Sequence, residues 1–148
     1  MAEVTRKEVI TLINSSDRPR LAGVDLSSID LNRLDFENAN LRGANLRATV
    51  LREAILRSTN MTGVVAVSAN LQFADFNNAV LVAADLTVAQ LQGARLTNAD
   101  LSNANVSGAN LQNANLKGAN VQGLRFDAGT VWPDGRRGTG VNPSSFTV

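Results

Sequence analysis

Every fifth residue from Leu21 to Phe126 is apolar, and among these 22 positions only Ala66 is small. A register of this kind constrains the fold more than any single motif, because each unit must bury its apolar side against its neighbours. The apolar position is called the centre here. Two residues before it, from Val24 to Leu124, Ala occupies 14 of 21 places, without interruption from Ala69 to Ala119. The residue immediately before the centre is Asn or Asp in 14 of 22.

Neither regular element accommodates a period of five. A helix advances about 100° per residue, so successive centres would be rotated by about 140° and scattered around its circumference. In a straight strand side chains alternate, so successive centres would fall on opposite faces. The Ala and the centre, two apart, do point the same way in extended backbone. The other three residues must then turn a corner that brings the next Ala and centre inward. One corner per five residues winds the chain into a coil, and stacked coils bury a single continuous core.

Ala39-Asn40-Leu41-Arg42-Gly43, Ala99-Asp100-Leu101-Ser102-Asn103 and Ala114-Asn115-Leu116-Lys117-Gly118 show the unit in full, and in it the chain resembles the pentapeptide-repeat proteins. That resemblance implies an all-β solenoid: a right-handed quadrilateral parallel β-helix with four pentapeptides to each coil. It divides the chain into an N-terminal capping helix within 1–18, the β-helix over 19–126 and an irregular C-terminal cap or tail over 127–148.

With twenty residues per coil the centres sort into four columns, such as Leu31, Leu51, Leu71, Leu91 and Leu111. Ala66 leaves a thin spot in its column, and Val64, where Ala is usual, restores volume. An open rod end would expose apolar residues and unpaired strand edges. Thr5-Arg6-Lys7-Glu8 predicts a capping box, and Val9, Leu12 and Ile13 follow as an apolar stripe at helical spacing. Pro19 marks the passage into the rod. After Phe126 the register stops, and the four Gly and two Pro of the tail predict turns. Trp132 is expected as a lid over the last coil.

The chain contains no Cys and no His, which excludes Cys/His zinc sites, disulfides, thiol nucleophiles and Ser-His-Asp triads. Asp25, Asp30 and Asp35 fall on three successive faces of a convex rod, whereas paired-carboxylate catalysis needs two such groups across a cleft. No GxxxxGK stretch is present. The expectation is a non-enzymatic protein with no catalytic, cofactor or metal site and no small-molecule substrate. No apolar run approaches the roughly 18 residues of a membrane span, and the N-terminal stretch lacks the basic then apolar order of an export signal. The expected location is the cytoplasm.

Net charge is +1, from 14 Lys/Arg and 13 Asp/Glu. Arg42, Arg47, Arg52 and Arg57 each follow a centre within one coil. They form a belt over four faces, whereas phosphate tracking needs several cations on one face, which argues against nucleic acid. Glu37 lies one coil from Arg57, and Asp75 one coil from Arg95. Val65, Val67, Val80, Val82, Val88 and Phe73 occupy outward positions in the third and fourth coils and form the candidate protein-contact surface, since contiguous exposed apolar area marks partner sites. Scattered exposure and the strand propensity of Val offer a plainer account of them.

The resemblance implies a binding or scaffolding protein of a family abundant in photosynthetic bacteria, several of whose members bind regulatory proteins. The expected partner is another protein, unidentified, and a monomer is slightly favoured. Some relatives mimic duplex DNA and bind type II topoisomerases such as gyrase, which makes DNA mimicry the alternative. Mimicry needs a strongly negative surface, and the repeats from Met61 to Phe126 carry three cations against three anions.

Overall fold

A computed structural model describes residues 4–148, so the first three residues of the expected cap lie outside the described part. The chain winds into a four-sided coil. Parallel bridges join residues twenty apart on all four sides, from Arg20 with Asn40 to Asn105 with Arg125. Each side is a three-residue strand whose middle residue, the centre, points inward. The N–H of a centre donates to the coil above, as Leu21 does to the Asn40 carbonyl at 2.8 Å, and the Asn40 N–H returns to Pro19 at 2.8 Å. The strands containing Leu21, Leu26, Leu31 and Phe36 open faces 1, 2, 3 and 4, and every later pentapeptide takes the next face in turn.

Corners are built from two local devices. At every corner but that of Ile29, the N–H of the residue two before a centre bonds the carbonyl of the preceding centre, as Ala39 does to Phe36 at 2.9 Å. The third residue of that four-residue turn has positive φ at all 21 corners from Gly23 to Gly123, as a type II turn demands. The second device accounts for the Asn/Asp column. All 14 of those side chains accept the backbone N–H two residues on, from Ser27 onto Asp25 to Gln122 onto Asn120. This is the Asx turn.

The interior is filled by the centres and the Ala column, almost all of them inaccessible to solvent, including Ala66 and Val64. Thr49, Thr59 and Thr130 stand at Ala positions, and each hydroxyl donates to a backbone carbonyl, of Leu26, Leu56 and Val106 respectively. Their polar groups are thus satisfied where an unpaired one would be costly.

At the lower end α1 (Arg6–Asn14) carries the expected capping box, with Thr5 and Glu8 bonded reciprocally. Val9 is buried and Ile13 packs against the core, but Leu12 is 39% exposed. The stripe is narrower than its spacing suggests, because the helix meets the coil along one line only. Arg6 reaches from α1 to the edge of face 3, where its guanidinium donates to the carbonyls of Asp30 at 2.6 Å and Asn32 at 3.1 Å. One coil higher the N–H groups of Leu31 and Arg33 make the same two contacts, to Val50 and Arg52. A side chain therefore stands in for the missing coil.

At the upper end the five-residue register breaks at Asp127, while the winding continues. Asn110 pairs with Val131, one residue beyond the expected twenty. The Gly108 N–H, which a backbone carbonyl would otherwise accept, donates to the Asp127 carboxylate at 2.9 Å. Trp132 thereby lies above Leu111 in the centre column. It is fully buried, packs edge-on against Phe126 at 4.9 Å and face to face with Phe146 at 5.9 Å, and donates its indole N–H to Gly138. Val131 pairs antiparallel with Arg137, and a short 3₁₀ turn, Pro143–Phe146, folds over the end. The tail expected to be irregular is in part a further side of the coil.

Candidate functional site

Most backbone donors and acceptors on the four faces are used between coils or in Asx turns, so side chains are left to carry most of any recognition. The candidate residues lie on two adjacent faces and the corners beside them. Val80 and Val82 flank Leu81 on face 1, Val65 and Val67 flank Ala66 on face 2 one coil lower, and Val88 forms the corner between faces 2 and 3. Phe73 stands apart, at the corner of faces 3 and 4. Val80, Val88 and Phe73 are exposed, whereas Val65, Val67 and Val82 are half-buried.

Val88 and Phe73 hold the left-handed corner position, with φ of 51° and 58°. Val88 is the only β-branched residue among the positive-φ positions, and such a residue there is a genuine outlier. Each sits beneath a glycine of the next coil. A Cβ on Gly93 would come within 2.5 Å of two Phe73 ring carbons, and one on Gly108 within 2.8 Å of a Val88 methyl. The Arg52 guanidinium lies 5.4 Å from the Phe73 ring centroid. Sequence alone did not mark these two as strained, because the corner column accepts Ser, Asn, Arg, Glu and Ala as readily.

The four belt arginines differ in their surroundings. Arg52 pairs with Glu53 at 3.4 Å, and Glu53 also holds Arg33 at 2.9 Å. Arg57 lies between Glu37 at 3.8 Å and Asp75 at 3.7 Å, and Asp75 also meets Arg95 at 3.9 Å. Arg42 and Arg47 are exposed and form no ion pair among the described residues. The positive charge left uncompensated in the belt therefore sits on faces 1 and 2. The hydrogen bond from Arg33 holds the Glu53 carboxyl below its ordinary pKa, with the charges of Arg33 and Arg52 adding to it.

A shallow hollow of about 520 Å³ opens beside α1, lined by Arg6, Asp30, Asn32, Arg33, Arg52 and Glu53. Its charged groups are engaged with one another. Among the described residues no three His, Cys, Asp or Glu side chains gather closely enough to hold a metal ion, and no helix is long and apolar enough to cross a membrane.

The family model of pentapeptide repeats (8 copies) matches residues 20–57, 29–65, 44–81, 67–103 and 94–127. The chain belongs to the pentapeptide-repeat family. Its fold is accordingly the right-handed quadrilateral β-helix of that family. Among solved structures it is similar to the pentapeptide-repeat protein Rfr23 from the cyanobacterium Cyanothece 51142, at 27% identity over 85% of this chain and 98% of that one, with a TM-score of 0.79. It is also similar to QnrB1, a plasmid-mediated fluoroquinolone resistance protein, at 21% identity over 76% of this chain and 55% of that one, with a TM-score of 0.61. HetL, a pentapeptide-repeat protein involved in heterocyst differentiation regulation in Nostoc sp. strain PCC 7120, is 31% identical over 80% of this chain and 61% of its own, with a TM-score of 0.32. No curated protein matches at significant similarity.

Proposed function

We propose that this pentapeptide-repeat protein is a non-enzymatic binding module that presents side chains on rigid faces to another protein. The observation that carries the reading is the pair Phe73 and Val88. A left-handed conformation costs an ordinary L-residue about 1–2 kcal/mol, and these two side chains remain 52% and 43% exposed, so burial returns little of that cost. Strain of this kind at an exposed apolar position points to a use outside the fold. Two other corners show how the same geometry is met without it. Asn98 lies beneath Gly118 and Asn103 beneath Gly123, with Asn in the left-handed region that it tolerates well.

The test is the double variant Phe73→Asn/Val88→Asn, which copies those two corners. It is expected to raise the melting temperature while reducing recovery of the partner in affinity purification from the native cell. A variant that is more stable and recovers the same partner as well as wild type would refute the reading. Mimicry of duplex DNA has less support, because Arg20, Arg42 and Arg47 stand on faces 1 and 2 without ion-pair partners among the described residues. A gyrase supercoiling assay unaffected by micromolar protein would dispose of it.

A further inference from the structure

We propose that faces 1 and 2 form one docking surface for an acidic segment of another protein, its carboxylates meeting Arg42 and Arg47 and its apolar side chains covering Val65, Val67 and Val82. The inference rests on the protein-binding reading above and names the face and the chemistry of the partner.

Three observations converge on this surface. The first is the division of charge: Arg33, Arg52, Arg57 and Arg95, which belong to faces 3 and 4 and the corner between them, share Glu37, Glu53 and Asp75. Arg20 and Arg42 on face 1 and Arg47 on face 2 share no carboxylate among the described residues. A guanidinium presents a planar fork that matches a carboxylate through two parallel hydrogen bonds. Exposed guanidinium groups that no ion pair neutralises, in the lower coils of two faces of a nearly neutral rod, are therefore complementary to an acidic partner.

The second observation is local cost. Wherever Asn or Asp precedes a centre it accepts the N–H two residues on. Val65 and Val80 occupy that position and cannot, so the N–H groups of Val67 and Val82 have no acceptor among the described residues. The fold forgoes an Asx turn for an outward β-branched residue four times, at Val50, Ile55, Val65 and Val80, once on each face. After Val50 the Arg52 N–H is taken instead by Asn32 at 2.8 Å, whereas Val65 and Val80 leave theirs open on the two faces that hold the free arginines.

The third is placement. Val67 stands directly above Arg47 in one column, where the Ala48 N–H bonds the Val67 carbonyl at 3.0 Å, and coils are about 4.8 Å apart. Val82 stands two coils above Arg42 with Thr62 between them, and Val65 lies across the corner from it. That corner is formed by Gly63 and Ala83, which are small, so both faces are reachable by one segment. Asp85 above Val65 and Asp100 above Val80 keep the partner's carboxylates from the upper coils. At the lower end of face 2 the Asp25 carboxylate is occupied by the Ser27 N–H and the Asn45 amide, so the acidic residues meet Arg42 and Arg47 and the apolar ones lie above.

The experiment is selection of random twelve-residue peptides displayed on phage against the full-length protein, with counter-selection on the Arg42→Glu/Arg47→Glu variant. Recovered peptides are expected to combine Asp or Glu with Leu, Ile or Phe. Affinity of a synthesised winner should fall at least tenfold for Arg42→Gln/Arg47→Gln and for Val67→Glu/Val82→Glu. It should stay within twofold for Arg57→Gln, whose charge is already paired. Circular dichroism of each variant separates lost binding from lost folding. Peptides that are neutral or basic, or no enrichment at all, would overturn the proposal, as would tighter binding of a twenty-base-pair DNA duplex at physiological salt. Winners insensitive to both double variants but lost in Phe73→Asn/Val88→Asn would overturn this face and leave the protein-binding reading in place.

Discussion

Replacing Gly93 by Ala is expected to destabilise the protein well beyond the same change at Gly63, although the two corners have nearly equal φ, +67° and +64°. Both variants share the cost of holding Ala in the left-handed region, about 1–2 kcal/mol. The fold tolerates this, since Ala48 and Ala83 already stand at 55° and 54°. At Gly63 an added Cβ meets nothing within 4 Å, whereas at Gly93 it meets Cδ1 and Cε1 of Phe73 at 2.5 Å. The ring must swing outward, losing its seat on Gly93 and its contact with Arg52. Overpacking of this sort typically costs about 1–3 kcal/mol, so Gly93→Ala should lose about 2–5 kcal/mol in all, taking the two costs together. In a Phe73→Ala background the excess should vanish, which makes the pair a double-mutant cycle. Urea unfolding followed by circular dichroism reads all four proteins. Equal losses at Gly63 and Gly93, or an excess that survives removal of the ring, would show that Phe73 does not rest on Gly93 and would remove the geometry on which its exposure is argued.

Trp132→Ala should cost about 3–5 kcal/mol, as for other fully buried aromatics, with Trp132→Phe losing much less. The urea midpoint by circular dichroism decides, and a small loss would mean that the upper end is closed without the indole. Acid sensitivity should follow Asp127, whose pKa is lowered chiefly by the Gly108 N–H and further by Gly129 and Thr130. A depressed carboxyl stabilises the fold above its unfolded value of about 3.9, and that contribution is lost as pH falls through the folded value. Asp127→Asn should therefore flatten the decline in urea midpoint between pH 5 and pH 2, on the order of the span in which such a carboxyl titrates. Parallel curves for the two proteins would contradict this role.

The register of centres made the coil legible, because a period of five has few physical solutions and the Asn/Asp column announced the corners. The ion pairs of Glu37 with Arg57 and Asp75 with Arg95 followed from the twenty-residue column. The second pairing of Arg57, with Asp75 across the diagonal, did not, since it depends on side-chain reach as well as column. Arg6 was hidden for a similar reason: nothing in a capping box indicates that its second residue will span to face 3. The valines were visible as outward residues, yet their cost was not, because it appears only when the partner of each corner N–H is known. Asp127 looked like the end of the pattern, and its carboxylate instead replaces a backbone carbonyl so that the winding can slip by one residue and go on.

That slip and the Arg6 fork together govern how two of these rods can meet end to end. A spiral built in strict multiples of five would offer an upper rim matching its own lower rim, and head-to-tail contacts of that type propagate into fibres. Along face 3 both rims are already taken, the lower by a guanidinium and the upper by the Arg136 carbonyl, which accepts the Trp132 N–H. A second molecule therefore finds no matching edge on that side, and the length of the spiral is written into the chain rather than left to concentration.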